Sequence, residues 1–574
     1  YAEVVDPEKH DRPCRVYAPV GNHEDLLPYL VRRLLENGSN TSFVNKIADE
    51  SIDVQDIIAD PLETAAAHDY AAHDLIPRPL DIFQPERDNS HGVNLPNRSV
   101  SRKLLDELEA ASKKPRTAKP IIGGNEVRGK EVPSVNPADT SEVVGICHQA
   151  AGEDLDKAIE LSVAAQPSWD RLGAEERARI LNRAADLYEE HRDELIDLVV
   201  REGGRTIPDC ISELREAVDF MRYYGAQAKK HFGEPILLPG PTGERNTYSM
   251  RGKGVFIAIS PWNFPLAIFT GQVTAALAAG NAVLAKPAAP TTIIAYRAIQ
   301  LLHEAGVPAD VLHYVPCGGR LMGERGVADP RIAGVVFTGS TEVAQTINQT
   351  LAHRDAPIGT LIAETGGQNA MFVDSSALPE QVVHDSIYSA FNSAGQRCSA
   401  LRLLCVQEEI EPRTLDLLKG YMEELTIGDP KHLSTDVGPV IDDPSRQILA
   451  KHVERMDKEQ KIVHRRELPD GSDAGTYFSP TLVEIDDISA LTEEQFGPVL
   501  HVVKFKSRHL DKMVAAVNGT GFGLTMGLHS RIDSRVAGLA ADCGAGYLYV
   551  YRNMIGAVVG VLPFGGCGLS GTGP

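Results

Sequence analysis

Cys398 sits in the run Phe391-Asn392-Ser393-Ala394-Gly395-Gln396-Arg397-Cys398-Ser399-Ala400, downstream of Glu364-Thr365-Gly366-Gly367-Gln368-Asn369. A thiol among small residues can attack a carbonyl, and a carboxylate backed by glycines has room to activate water. Together they spell thioester formation followed by base-assisted hydrolysis, the route from an aldehyde to an acid once an oxidant has taken the hydride. Arg397, next to the thiol, is expected to favour the thiolate and so lower the Cys398 pKa. An activated Cys398 should then react with thiol reagents ahead of the other seven cysteines. Each residue alone has a plainer alternative, an inert buried thiol for Cys398 and a solvated or ion-paired side chain for Glu364.

Three further segments place polar groups where strands end. Asn263, in Pro261-Trp262-Asn263-Phe264-Pro265, follows the apolar run Val255 to Ile259. It either donates to a developing oxyanion or caps the helix that follows. Lys286-Pro287 follows Val283 to Ala285 and is either a ribose ligand or a solvated strand-end charge. Phe337-Thr338-Gly339-Ser340-Thr341 closes a strand and opens a helix, where free N–H groups suit a pyrophosphate. An ordinary strand-to-helix turn is an equal reading there, because no G-x-G-x-x-G is present.

The elements that must carry these groups alternate. From 253 to 373 strands at 255–259, 282–285, 311–315, 335–338 and 361–363 are interleaved with helices after Pro265, from Thr291 to Ala305 and after Ser340, which predicts a parallel sheet covered on both faces. A second α/β unit follows from about 371, holding Cys398 and strands near 403, 500 and 548. Upstream, 158–201 and 210–225 carry long helical patterns. Residues 77–119 read as a connector rich in Pro, Asn, Ser and Lys around one short helix near 101–112. The front end offers a strand at 15–20 and a helix from Asp25 to Asn37, with Leu26, Leu27, Leu30 and Leu34 on its apolar side and Gly38 as its stop. One strand and one helix cannot enclose a core, so they read as the last unit of a larger domain.

At 574 residues the chain holds several cores, and its net charge of −22 argues against holding a nucleic-acid backbone. The eight cysteines are scattered singly without zinc-site spacing, which fits a reduced cytoplasmic chain and no metal. No apolar stretch is long enough to span a membrane, and the start shows neither Met nor a signal pattern, as expected of an internal fragment.

Taken together and in order, the thiol segment, Glu-x-Gly-Gly, Trp-Asn-Phe-Pro, Lys-Pro, Phe-Thr-Gly-Ser, Glu494-Gln495-Phe496-Gly497-Pro498 and Pro563-Phe564-Gly565-Gly566 resemble the aldehyde dehydrogenase superfamily over about 120–574. Ser399, Asn553-Met554-Ile555-Gly556-Ala557 and Val373-Asp374-Ser375-Ser376-Ala377-Leu378-Pro379-Glu380 are similar to its glutamate semialdehyde dehydrogenase branch in the bifunctional proline-utilization enzymes of bacteria. Arg15-Val16-Tyr17-Ala18-Pro19-Val20 and the helix after it resemble the end of the proline dehydrogenase barrel in those enzymes.

The resemblance implies an α/β fold with a Rossmann-type NAD domain and an α/β catalytic domain, preceded by the last strand and helix of a β/α barrel. The expected division is a barrel remnant at 1–76, a connector arm at 77–119, the NAD-binding domain at 120–363, the thiol domain at 364–540 and a returning substrate-anchor segment at 541–574. It implies NAD-dependent oxidation of L-glutamate γ-semialdehyde, formed from 1-pyrroline-5-carboxylate, to L-glutamate; the alternatives are a dehydrogenase for another small semialdehyde such as succinic and a catalytically silent nucleotide-binding or assembly module. Cys398 is the nucleophile, Asn263 the oxyanion donor together with the Cys398 N–H, and Glu364 the base. Ser260, Trp262, Lys286, Phe337, Thr338, Gly339, Ser340, Glu494 and Phe496 match cofactor positions. Ser399, Gly556 and Ala557 would hold the amino-acid end of the substrate, and Phe264 and Phe564 would box its methylenes. Tyr17, Tyr29, Arg32 and Arg33 match proline-site positions of a barrel that uses FAD in the parent polypeptide. Further expectations are a fused proline dehydrogenase partner, a homo-oligomer, and a cytoplasmic site with peripheral inner-membrane attachment of the parent. Some relatives add a DNA-binding repressor domain, which these residues do not encode.

Two departures from the family pattern stand out. Ala289 replaces the usual Glu after Lys-Pro-Ala, which removes one expected ribose bond. Tyr547 and Tyr551 replace two amide side chains beside the anchor loop, where their bulk is expected to disturb packing.

Overall fold

The computed structural model describes residues 2–15, 23–38, 43–49, 51–71, 76–114 and 116–573. They form two compact units, Tyr1–Arg78 and Pro79–Pro574. In the first unit the expected helix is present as His23–Gly38, followed by Phe43–Ala48, Val54–Ile57 and Pro61–Ala67. The strand expected at 15–20, and Tyr17 with it, falls outside the described residues apart from Arg15. Leu30 and Leu34 are 46% and 71% exposed, so the apolar face of this helix is uncovered among the described residues.

The second unit is built on two seven-stranded sheets. The first runs Thr360–Glu364, Ile332–Thr338, Val255–Ile259, Ala282–Lys286, Leu312–Tyr314, Ile121–Ile122, Asn125–Glu126; its first five strands are parallel and the last two antiparallel additions. Such strands read as continuous apolar runs because helices cover both faces, and Val255, Ile257, Ala258, Ala282, Val283, Leu284 and Ala285 are almost wholly buried. Helix Ala267–Ala278 is apolar nearly all round and accordingly buried. Numbering the five parallel strands along the chain gives the spatial order 5-4-1-2-3. The order therefore reverses between Val255–Ile259 and Ile332–Thr338, and open α/β sheets bind ligands beyond the carboxyl ends of strands at such a reversal.

The second sheet runs Lys461–Arg465, Thr481–Glu484, Val499–Phe505, Leu401–Gln407, Asn369–Val373, Thr525–His529, Tyr547–Val550, parallel except for its first pair. Its strand Tyr547–Val550 lies beyond residue 540, so the last segment begins inside this sheet. That segment ends against the first sheet, where Thr572 N–H donates to Ala363 O at 2.9 Å and Gly571 bridges Glu364. Each sheet has its own apolar core.

The long helical pattern at 158–201 resolves into three helices, Gly152–Arg171, Ala174–Glu190 and Arg192–Gly203. The first break falls at Gly173, whose φ of +90° suits glycine. Ile207–Phe232 continues as a 26-residue helix. The connector holds helix Arg98–Ser112. A three-stranded sheet of Thr117–Ala118, Asp139–Gln149 and Lys130–Asn136, absent from the sequence expectations, lies beyond it. No helix among the described residues is long and apolar enough to cross a membrane.

Candidate active site

Sheet register explains why residues far apart in sequence converge. Phe337 pairs with Ile259, Ile259 with Lys286, and Thr338 with Glu364, so Ser260, Lys286, Thr338 and Glu364 lie along one carboxyl edge. From Glu364 the chain crosses in five residues to Asn369, which opens the second sheet beside Leu401. Asn369 Nδ2 then donates to Cys398 O at 2.6 Å and to Ala400 O at 2.9 Å. The thiol loop thus lies at the amino end of one sheet, facing the carboxyl end of the other.

The loop is wound tightly before the cysteine. Ser393, Ala394 and Gly395 have φ of 53°, 52° and 66°, a left-handed run that costs energy at the two non-glycine residues and persists where surroundings hold it. Asp209 holds one side, accepting from Ser393 Oγ at 2.8 Å, Asn392 Nδ2 at 3.0 Å and Arg397 Nη2 at 3.2 Å. Arg402 holds the other, donating to Gly395 O at 2.7 Å, Gly497 O at 3.1 Å and Arg397 O at 3.0 Å. At Gly395 a side chain would collide with Gly497 O.

Asn263 Nδ2 donates to Gln396 O at 3.0 Å, and its own C=O accepts from Arg205 Nη1 at 2.8 Å. The helix-cap alternative is thereby removed: the N–H groups of Leu266 and Ala267 donate instead to Glu213 Oε1, at 2.8 and 3.1 Å. An amide nitrogen carries two N–H bonds, so Asn263 can hold the thiol loop and present a donor beside the sulfur. Replacing Asn263 by Ala should lower kcat by about 10² to 10³-fold, the usual cost of an oxyanion donor, with NAD affinity unchanged by fluorescence titration. An unchanged kcat removes Asn263 from the chemistry.

Glu364 is half-buried, and its Oε1 accepts from Gly566 N–H at 2.9 Å. Burial pushes its carboxyl up to about 7. Cys398 departs from expectation. Burial first, then the carboxylates of Glu364 and Glu494, push the thiol up to about 12, while the opposing pulls of the Ser399 N–H and Arg397 are weaker. Arg397 is occupied elsewhere, by Asp209, by Ser393 Oγ at 3.1 Å and by Ile555 O at 3.4 Å. The expected order of thiol reactivity therefore reverses, since Cys567 is exposed and Cys398 is not.

The other matched positions are placed as follows. Trp262 meets Phe496 edge-on at 5.5 Å. Ser260 Oγ is turned inward, donating to Gln272 Oε1 at 2.7 Å, and Gln272 Nε2 donates to Thr338 Oγ1 at 2.9 Å. Lys286 Nζ donates to Pro287 O at 3.0 Å, and burial lowers its pKa. Gly339 N–H donates to Glu364 O at 3.1 Å, and a Cβ on Gly339 would come within 2.6 Å of the buried Phe337 ring. Ser340 caps helix Thr341–His353. Glu494 Oε1 accepts from Gly367 N–H at 3.0 Å, with Arg402 at 3.7 Å. Ala289 is exposed on a single turn, Ala289–Thr291. A cavity of about 740 Å³ lined by Ser340, Thr341, Gln345 and Glu494 runs beside this edge.

On the substrate side, Ser399 is buried, and Gly556 and Ala557 are half-buried. Phe264 lies under Arg205 at 4.1 Å and Arg397 at 5.1 Å. Phe564 is 43% exposed and packs on Tyr547 at 5.3 Å. Tyr547 is accommodated, 5% exposed and stacked on Tyr549 at 6.1 Å. Tyr551 takes a φ of 56° at an exposed position. In the first unit, Arg33 lies 5.4 Å from the Tyr29 ring centre and Arg32 is exposed.

Arg205, Asp209, Glu213 and Arg402 were not singled out in the sequence. A signal existed for Arg402 alone, a charge inside the buried strand Leu401–Gln407.

The aldehyde dehydrogenase family matches residues 125–574 and the proline dehydrogenase family residues 1–46. The bifunctional protein PutA of Klebsiella aerogenes is 46% identical over 580 residues, 99% of this chain but only 43% of that protein's length. A crystal structure of a point variant of Bradyrhizobium japonicum proline utilization A superposes with a TM-score of 0.85 at 48% identity, covering 98% of this chain and 54% of that one. A Thermus 1-pyrroline-5-carboxylate dehydrogenase solved with bound NAD gives 0.79 at 30% identity, covering 88% and 95%.

Proposed function

The chain belongs to the aldehyde dehydrogenase family, and from that premise we propose that it oxidises L-glutamate γ-semialdehyde to L-glutamate with NAD as the oxidant. The observation that carries the reading is that Glu364, ending one sheet, is near enough for its charge to act on the Cys398 thiol in the loop that meets the other, with Asn263 bonded into that loop. The names of its relatives support the substrate.

The residues present fit a dinucleotide. A strand-order reversal, a glycine too close to Phe337 to bear a side chain, and a helix amino terminus at Ser340 adjoin the 740 Å³ cavity. Ser340 and Glu494 line that cavity, and with them Gly339, Lys286, Trp262 and Phe496 would hold the dinucleotide; the inward Ser260 hydroxyl and Ala289 would contribute little. Bound NAD supplies a hydride acceptor.

With the thiol at about 12 and Glu364 at about 7, the resting proton stays on sulfur, and it passes to solvent water as the sulfur attacks the aldehyde. Cys398 Sγ bonds to the aldehyde carbon, Asn263 Nδ2 and the Cys398 N–H steady the resulting oxyanion, and after hydride loss Glu364 takes a proton from the water that cleaves the thioester. Ser399, Gly556 and Ala557 would receive the α-carboxylate and amine, with Phe264 against the methylenes. NADH formation with the semialdehyde, run on this chain and on the intact parent together, tests the reading; turnover by neither refutes it.

In the parent, the proline dehydrogenase match supports a fused FAD-dependent proline oxidation to which Tyr29, Arg32 and Arg33 would belong. The chain would divide into a barrel remnant, a connector arm, an NAD-binding domain, a thiol domain and a last segment that returns from the second sheet to the first. Eight free thiols support a reducing, cytoplasmic setting. Homo-oligomerisation is supported by the ribbon Ile236–Leu238/Asn246–Tyr248, where Ile236, Leu237 and Tyr248 lie exposed. Sedimentation velocity should show more than one copy, and Leu237→Lys should shift the boundary toward the monomer.

A further inference from the structure

We propose that Arg87, in the connector ahead of the first sheet, is a positioning residue for substrate recognition, acting through the loop that carries Gly556 and Ala557; the proposal rests on the substrate reading above. Residues 553–562 contain neither helix nor strand, so the path of this backbone depends on groups reaching it from outside. Besides the adjacent Arg552, whose Nε donates to Asn553 O at 3.3 Å, four side chains among the described residues bond to it. Ser389 Oγ accepts from Met554 N–H at 3.1 Å, Arg397 Nη1 donates to Ile555 O at 3.4 Å, Tyr549 Oη donates to Gly556 O at 2.7 Å, and Arg87 Nη2 donates to Val559 O at 3.2 Å. The first three come from the thiol loop and from elements around the second sheet. The fourth crosses 472 residues from the connector.

Arg87 is built in rather than draped over the surface. It is 7% exposed, pairs with Asp219 at 2.9 Å and lies 3.9 Å from the Phe83 ring centre. Asp219, on helix Ile207–Phe232, also accepts from Ser90 N–H at 3.1 Å and Ser90 Oγ at 2.8 Å, so the connector is pinned to that helix without help from Arg87 Nη2. The same helix meets the loop one residue further on. Gly560 has φ +79°, and a Cβ there would fall 2.9 Å from the Tyr223 ring. Val559 and Gly560 are therefore wedged between Arg87 and Tyr223, which fixes the far end of the loop while Arg397 and Tyr549 fix the near end. Gly556 is held directly by Tyr549, and Ala557, whose backbone with that of Gly556 would meet the substrate carboxylate, is suspended between the two ends. A shift of about 1 Å in such a cradle is enough to cost on the order of 10²-fold.

The test uses the intact parent polypeptide with Arg87→Met and Arg87→Lys, assayed with L-glutamate γ-semialdehyde and with pentanal, which lacks the amino and carboxylate groups. Arg87→Met should raise KM for the semialdehyde at least about tenfold while kcat/KM for pentanal stays within about twofold. Arg87→Lys, which reaches one partner but lacks the planar fork, should recover part of the loss. Equal losses with both aldehydes would show a merely structural arm and overturn the proposal, as would an unchanged KM. Amide hydrogen exchange gives a readout independent of the substrate. Residues 555–562 should exchange faster in Arg87→Met with the thiol loop unaffected, and unaltered exchange there overturns the proposal. A wild-type enzyme that does not distinguish the two aldehydes defeats the substrate reading, and the recognition role falls with it; the exchange data then still decide whether Arg87 holds the loop.

Discussion

Cys398→Ala removes NADH formation with glutamate semialdehyde, by a factor on the order of 10⁶, the scale on which covalent enzymes lose turnover with their nucleophile. The remaining parts of the site do not depend on the sulfur. Asn263 is bonded to Gln396 O, the left-handed turn is held by Asp209 and Arg402, and the turn at Gly339 lies on the other sheet. NAD affinity, measured by fluorescence titration, therefore stays near the wild-type value. Undiminished turnover in this variant would refute the assignment of the nucleophile.

Glu364→Gln separates the two halves of the reaction. Hydride removal precedes hydrolysis, so one equivalent of NADH should appear rapidly per active site. Steady turnover should then be slower by about 10² to 10⁴-fold, the range spanned by general bases. The working form of Glu364 is the carboxylate, and burial raises its pKa from the usual carboxylate range to about 7. Loss of the proton with rising pH creates the base, so wild-type kcat should rise about tenfold per pH unit below 7 and level off above it. That limb should be missing from the Gln variant. A wild-type profile flat from pH 5.5 to 8.5, or a variant with neither burst nor slowing, would take the base role away from Glu364.

The parts legible in the sequence were those encoded by local pattern. Apolar runs such as Val255–Ile259 and Ala282–Lys286 announce buried parallel strands because both faces are covered, and the strand ends carrying Asn263, Lys286, Thr338 and Glu364 could be located from them. The short edge strands were missed, since two-residue strands such as Thr117–Ala118 leave no periodicity to read; the longer Lys130–Asn136 and Asp139–Gln149 were missed because Pro133 and Gly145 interrupt their patterns. The state of Cys398 was misjudged for a related reason. Adjacency in sequence put Arg397 beside the thiol, but side-chain direction and the distant Asp209 decide where its charge acts. The ring partner of Phe564, Tyr547, is likewise set by the packing of the second sheet and not by local sequence. Helix capping by Glu213 and loop clamping by Arg402 join segments far apart in the chain, and one sequence contains no record of such contacts.

The guarded state of the nucleophile bears on how the protein ages in its cell. Peroxides consume the ionised form of sulfur, and a proton bound as firmly as the one on Cys398 starves the first rung of that damage, the sulfenic acid. Without substrate, Cys398 should therefore be oxidised by peroxide more slowly than the exposed Cys567.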